Sequence, residues 1–133
     1  MIERLDGFPD NVVAVAAKGQ VSKKDYEQVL VPEVEQAFKK HRKVNFYYEL
    51  GPQFTGLEPG AAWEDFKEGI RHFGGWEKMA VVTDVEWVKR LASGFGSIMP
   101  GEVRVFSIAE KTVARAWILV GGEGTATGAG SGR

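Results

Sequence analysis

The sequence contains no cysteine and only two histidines among its 133 residues. Without cysteine the chain can form no disulfide, has no thiolate ligand for a metal and has no cysteine nucleophile. A transition-metal site would have to use the scattered carboxylates, and no ligand spacing supports one. The sequence therefore predicts neither a metal centre nor another cofactor.

Long apolar runs and an excess of one charge are also missing. No stretch approaches the ~20 apolar residues that a membrane-spanning helix needs, and no basic segment followed by an apolar run marks a signal peptide. We therefore expect a cytoplasmic protein. The 17 Lys and Arg residues nearly balance the 18 Asp and Glu residues, so the net charge is −1. Because phosphates attract a basic face, this balance argues against a nucleic-acid partner.

The composition is typical of one globular domain. The chain is 44% hydrophobic and 26% charged, which is too apolar for a disordered protein, and its length is near the commonest domain size. From residue 121 onward, mainly glycine, alanine, serine and threonine remain, and such a segment cannot bury a core. We predict an α/β domain over residues 1–120 and a disordered tail over residues 121–133.

Strand and helix patterns alternate along the domain. Strand patterns cover residues 1–5, 11–17, 44–50, 79–83 and 102–106, and helix patterns cover residues 22–41, 60–73, 84–93 and 107–120. The resulting order is β-β-α-β-α-β-α-β-α. Such alternation predicts a mostly parallel five-stranded sheet covered by four helices, with the first strand antiparallel to the second.

Local signals mark the ends of these helices. Ser22 is placed to accept a hydrogen bond from the backbone three residues later, and Ser107 with Glu110 forms a capping-box pattern. Asp84 is placed to cap the third helix. Pro32 lacks an amide hydrogen, so we expect it to kink the first helix near its middle.

Several segments of the chain resemble one bacterial protein family. The main segment is AWEDFKEGIRHF at residues 62–73, and the similarity continues through KMAVVTD at 78–84 and Trp87. Further matches lie at residues 25–27, 31–32, 102–106 and 114–117. Together these segments resemble the SpoIIAA-like family, in the STAS and Sec14-like fold group, whose members are largely uncharacterised. The resemblance covers nearly all of the chain except the tail and implies the same order of strands and helices.

The resemblance implies two kinds of binding function. Anti-sigma-factor antagonists of this fold are protein-binding switches phosphorylated on a serine at the start of the helix after the third strand. Here residues 51–62 contain no serine, and their only hydroxyl group belongs to Thr55, several residues ahead of the predicted helix. This departs from the switch pattern. Sec14-like domains bind lipids or other apolar molecules in a cavity.

Two segments could contribute a binding site. The predicted loop over residues 51–60 follows a strand and precedes a helix, where open α/β sheets usually bind ligands. In that region Phe54, Thr55, Leu57 and Trp63 either line a cleft or belong to a well-packed surface loop. The second segment, residues 87–100, carries the apolar side chains of Trp87, Leu91, Phe95, Ile98 and Met99. Either Trp87 and Leu91 pack in the core and the other three form a lid, or the segment is exposed for a partner, a second subunit or a membrane surface.

Acid–base chemistry is the alternative to binding. His72 can change charge near neutral pH, but a histidine late in a helix also caps carbonyl groups. Asp65 lies seven residues away on the same helix, beyond direct hydrogen-bond reach. A small enzyme would use Asp65, His72 or Asp84 at the carboxyl edge of the sheet.

The sequence favours a non-catalytic module that binds a partner protein or a small apolar or amphipathic, lipid-like ligand. Self-association is a further expectation, because an edge strand and the apolar segment offer two surfaces. The predicted ligand- or partner-binding residues are Phe54, Thr55, Leu57, Trp63, Asp65, His72, Trp87, Phe95, Ile98 and Met99.

Overall fold

A five-stranded mixed sheet organises the chain. The computed structural model describes residues 1–58, 74–96 and 101–120. The strands are β1 (Ile2–Arg4), β2 (Val12–Val21), β3 (Val44–Leu57), β4 (Trp76–Thr83) and β5 (Glu102–Phe106). They lie side by side in chain order, with β1 antiparallel to β2 and all other neighbours parallel. The predicted mixed α/β sheet with an antiparallel first strand is confirmed.

The first helical segment is continuous from residue 23 to residue 40, but its hydrogen-bond pattern changes from α-helical to π-helical and back. It consists of α1 (Lys23–Asp25), a π-helical turn (Tyr26–Leu30) and α2 (Val31–Lys40). The π-helical turn lies directly before Pro32. In a regular α-helix the proline ring collides with the carbonyl group four residues earlier, and the wider π-helical spacing relieves that contact. Where the sequence predicts a kink at Pro32, the structure has a π-helical turn directly before it.

Two further helices are described. These are α3 (Glu86–Phe95) and α4 (Lys111–Leu119), and a 3-10 turn at Ile108–Glu110 precedes α4. The amide N–H of Ser107 donates to the carboxylate of Glu110 over 2.9 Å, so the predicted capping box forms. The fourth predicted helix, over residues 60–73, and the predicted disordered tail, over residues 121–133, lie outside the described residues.

Alternation along the strands divides the core between the two faces of the sheet. On one face, Val13 and Val15 of β2 pack in a cluster with Leu30 and residues of α2 and α3. On the other face, Val12 and Ala14 pack in a cluster with residues of α4. Because successive strand residues point to opposite faces, β2 is buried on both, as its apolar run predicts.

Strand β3 is longer than its sequence pattern indicates. The predicted strand ended at Leu50 and a loop followed, but β3 continues to Leu57. The extension exists because β2 also continues, so that Gly19 lies opposite Phe54 and Val21 lies opposite Leu57. The prediction of a loop was therefore wrong for residues 51–57, where partner-strand pairing overrides the glycine and proline content.

Asp84 does not cap the helix that follows it. The N-cap of α3 is Val85, whose amide donates to the hydroxyl oxygen of Thr83 over 3.1 Å. The Asp84 carboxylate instead accepts a hydrogen bond from the amide of Ile108 over 3.1 Å. The prediction was wrong because the acceptor is used by the 3-10 turn that follows β5, 24 residues later in the chain.

Candidate functional site

An apolar cavity lies between the π-helical turn and α3, over the carboxyl-terminal halves of the central strands. Its volume is about 70 Å³, several times the roughly 10–15 Å³ that one water molecule requires. We call it the apolar cavity. The described residues that line it are Ile2, Val21, Tyr26, Leu30, Tyr48, Leu50, Phe54, Leu57, Met79, Val81, Trp87, Val88, Leu91, Ala92 and Phe95.

Strand and helix periodicity bring these side chains to one place. Tyr48 and Leu50 are two residues apart on β3, as are Met79 and Val81 on β4, so each pair points to the same face of the sheet. The lining residues of α3 recur at three- and four-residue steps, which places them on one side of the helix. The site therefore follows from the same apolar faces that build the core.

The described part of the cavity wall contains few polar side-chain groups. Among the described lining residues, these are the hydroxyl groups of Tyr26 and Tyr48 and the indole N–H of Trp87. Burial raises the pKa of Tyr48, and the nearby carboxylate of Asp25 raises it further. The phenol is therefore protonated and uncharged at neutral pH. No charged side chain is among the described residues of the wall, so the site suits an uncharged, apolar group.

Trp87 and Phe95 occupy different parts of α3. Trp87 is 42% exposed and its ring packs against Phe54, with 5.9 Å between ring centroids. Phe95 is only 3% exposed and belongs to the core. The predicted division into core and lid was wrong for both residues, because α3 continues to Phe95 and buries it in the core, whereas Trp87 lies partly in solvent beside the cavity.

Four predicted site residues lie together in the structure. Phe54, Leu57, Trp87 and Phe95 all line the apolar cavity. Thr55 is exposed on β3 and does not line the cavity, because it points to the other side of the strand from Phe54. Its position within a strand, rather than at a helix start, also differs from that of the switch serine. The other predicted site residues, Trp63, Asp65, His72, Ile98 and Met99, lie outside the described residues.

Most of the cavity wall was not identified from the sequence. Tyr26, Leu30, Met79 and Val88 carry ordinary core signals, and nothing in their spacing distinguishes a cavity wall from close packing. The available clue was the position of two tyrosines, Tyr26 and Tyr48, on otherwise apolar faces. A buried tyrosine needs a place for its hydroxyl group.

A polar cluster lies on the opposite face of the sheet. The hydroxyl group of Tyr47 donates to Glu49 over 3.1 Å, and the ammonium group of Lys111 lies 3.5 Å from the same carboxylate. Burial raises the pKa of Tyr47, and the negative charge of Glu49 raises it further. These contacts tie the start of α4 to β3. Among residues 1–58, 74–96 and 101–120, no group of three or more His, Cys, Asp or Glu side chains could hold a metal ion.

The strand order and pairing define an α/β domain with a SpoIIAA-like, STAS-like fold. The SpoIIAA-like family model matches residues 12–119, and the chain belongs to that family. The structure is similar to the crystal structure of an uncharacterized protein of the DUF3478 family, with a SpoIIAA-like fold, from Shewanella loihica PV-4. That protein is 25% identical, the TM-score is 0.65, and the match covers 89% of this chain and 92% of the other.

No curated protein matches the sequence. In the part of the chain that the structure describes, no helix is long and apolar enough to cross a membrane.

Proposed function

We propose that this protein is a cytoplasmic binding module that takes a small, uncharged apolar or amphipathic ligand into the apolar cavity. The observation that carries the proposal is the cavity itself, a space at the carboxyl edge of the parallel strands whose described lining residues are almost all aliphatic or aromatic. Open α/β sheets usually bind ligands at this edge, and ligand sites combine apolar walls with a few polar groups.

The size of the cavity restricts the ligand. A volume of about 70 Å³ is well below the ~300 Å³ at which drug-sized pockets begin. Because an apolar cavity of roughly 150 Å³ holds one benzene ring, the expected occupant is the end of a single alkyl chain, with the rest of the ligand lying outside the cavity, rather than a ring or a two-chain lipid. Trp87 lies partly in solvent beside the cavity, so its indole N–H provides a place for a hydroxyl head group.

The chemistry of the wall restricts the ligand's charge. Binding a carboxylate would place a negative charge against a wall whose described residues carry no charged side chain. Desolvating an ion without a partner is expensive. We therefore expect an alcohol to bind and a fatty-acid anion of equal length to bind much more weakly.

The test uses 1-octanol and octanoate as probes. Binding is detected from changes in amide chemical shifts in two-dimensional NMR and from the change in the thermal unfolding midpoint. In the unaltered protein, 1-octanol should shift the amides of α3 and β3 and raise the midpoint, whereas octanoate should do neither. Ala92→Leu fills the cavity from α3, and Ala116→Leu adds the same side chain to the exposed side of α4. Octanol binding should be lost in the first variant and kept in the second.

The proposal is wrong if octanol shifts no cavity amides, or if Ala92→Leu and Ala116→Leu bind it equally. If Ala92→Leu does not fold, Val88→Leu adds one methylene to the same wall and replaces it. A folded Val88→Leu protein that binds octanol as tightly as the unaltered chain would also contradict the proposal.

A further inference from the structure

Strand β5 has an open edge within the described part of the chain. It is the last strand of the sheet and pairs with β4, and no other described strand lies on its outer side. Its five residues include two charged, exposed side chains, Glu102 and Arg104. An unpaired strand edge is a template for another strand, because its backbone groups still need partners.

The charged side chains on this edge can pair with the same side chains of a second copy. Glu102 and Arg104 are two residues apart, so they lie on the same face of β5, and their side chains are 2.8 Å apart. An antiparallel pairing of two β5 strands centred on Val103 would place each Glu102 opposite the Arg104 of the other copy. Opposite charges in directly facing positions stabilise strand pairing.

An apolar row on α4, exposed at Val113 and Val120 and partly buried at Trp117, contacts β5 through Trp117. Trp117 packs against Phe106 of β5, with 5.8 Å between ring centroids, and the guanidinium group of Arg104 lies 5.0 Å from the Trp117 ring. Val113, one helical turn before Trp117, is 58% exposed, and Val120, just after the helix, is 62% exposed. Large apolar side chains exposed in a row beside an open strand edge are typical of an interface.

From these three features we infer that β5 and the row Val113, Trp117 and Val120 form a homodimer interface, with a second copy of this chain as the partner. A twofold axis at Val103 joins the two sheets through antiparallel β5 strands and places the α4 rows of the two copies on the same side of the joined sheet. The near-zero net charge of −1 adds little repulsion between copies. This interface is separate from the apolar cavity and does not depend on ligand binding.

The test compares charge-altered chains by sedimentation velocity at low salt, from low micromolar to several hundred micromolar protein. The unaltered chain should associate to a dimer over this range. Arg104→Glu places like charges opposite each other at two symmetric positions and should weaken the dimer at least about tenfold. The exchange Glu102→Arg with Arg104→Glu restores opposite charges across the interface and should restore the dimer.

Both variants lose the contact between Arg104 and the Trp117 ring, but only Arg104→Glu alone also loses the ion pair between residues 102 and 104 within the chain. A mixture of Arg104→Glu with Glu102→Arg separates the two effects. Neither of these chains has an internal pair, so a dimer that forms in the mixture and in neither chain alone reports on pairing between copies. Val113→Lys should also weaken the dimer, whereas Trp87→Gln, on α3, should not. A chain that stays monomeric at all concentrations overturns the inference, and so does a dimer that Arg104→Glu leaves unchanged. A larger, open-ended assembly would equally contradict a closed twofold interface.

Discussion

The ammonium group of Lys78 on β4 donates a hydrogen bond to the main-chain oxygen of Trp117 over 3.0 Å. It donates a second to the oxygen of Val120 over 2.5 Å. The side-chain amide of Asn45 on β3 donates to the oxygen of Ile118, also over 3.0 Å. The last carbonyl groups of a helix have no partner within the helix. Here two strand side chains supply those partners and fix the end of α4 to the sheet.

Replacing Lys78 by Met should lower the free energy of unfolding by about 1–2 kcal/mol at neutral pH, because it leaves helix-end carbonyls without donors. The loss should depend on pH. Burial lowers the pKa of the Lys78 ammonium group below the 10.5 of an ordinary lysine, so the folded protein releases this proton at a lower pH than the unfolded chain.

The sign follows from proton linkage. Between the lowered pKa and 10.5, the unfolded chain binds more protons, so a rising pH stabilises the unaltered protein relative to Lys78→Met. Urea unfolding of both proteins from neutral pH into the alkaline range measures this difference. A difference that stays flat or falls with pH would contradict the assignment.

Gly75 lies directly before β4, at a position where no residue with a side chain fits. A Cβ atom at this position would collide with the main-chain oxygen of Arg42 and would lie 2.8 Å from the ring of Phe38. Gly75→Ala should therefore lower the free energy of unfolding by about 2 kcal/mol or more. The neighbouring Gly74 has open space around its Cβ position, and Gly74→Ala should be nearly neutral. Equal effects of the two variants in urea unfolding would refute the close-approach explanation.

Ser22 and Asp25 form the capping box at the start of α1. The Asp25 amide donates to the Ser22 hydroxyl oxygen over 3.1 Å, and the Ser22 amide donates to the Asp25 carboxylate over 2.9 Å. Partial burial alone would raise the pKa of Asp25, but the hydrogen bonds from Ser22 together with the ammonium group of Met1, 3.2 Å away, outweigh it and the net pKa lies below 3.8. Ser22→Ala should reduce stability by about 1 kcal/mol at neutral pH.

The lowered pKa of the Asp25 carboxylate also makes the free energy of unfolding depend on pH in the acidic range. Because its pKa is lowered in the folded state, Asp25 contributes stability that is present above pH 3.8 and is lost as the pH falls through the folded value. Asp25→Asn should flatten this part of the stability profile, as measured by urea unfolding from neutral to acidic pH. Asp10→Asn removes an exposed carboxylate and serves as the control. If Asp10→Asn flattens the profile as much, the effect belongs to net charge and not to the capping box.

Local patterns were sufficient for most of the secondary structure. The run around Val13 and Val15 is apolar at every position, and such a run predicts a strand buried on both faces. The caps at Ser22 and Ser107 depend on contacts within three residues, so they can be recognised in the sequence alone. On α4, by contrast, the buried residues are Ala114 and Ile118, whereas the apolar side chains of Val113 and Val120 are exposed. Only the position of the helix on the sheet distinguishes these adjacent stripes.

The site was predictable only in part for a related reason. Phe54 and Leu57 were predicted because they follow a strand end, and Trp87 and Phe95 because their segment is more apolar than a helix-and-loop connection needs; all four line the apolar cavity. Their placement in a loop was wrong for Phe54 and Leu57, because β3 continues as far as its neighbour β2 provides backbone partners. Pairing between strands is a long-range interaction that glycine and proline content does not report.

The sequence by itself determined a mixed α/β domain of the SpoIIAA-like family, the helix caps and an apolar segment at the carboxyl edge. The tertiary structure decided the length of β3, the partner of Asp84 and the presence of the apolar cavity. Hydrophobic periodicity shows which side chains are removed from water, since that depends on their spacing along one element. Whether they close-pack or enclose a cavity depends on how separate elements meet, and that geometry exists only in the folded chain.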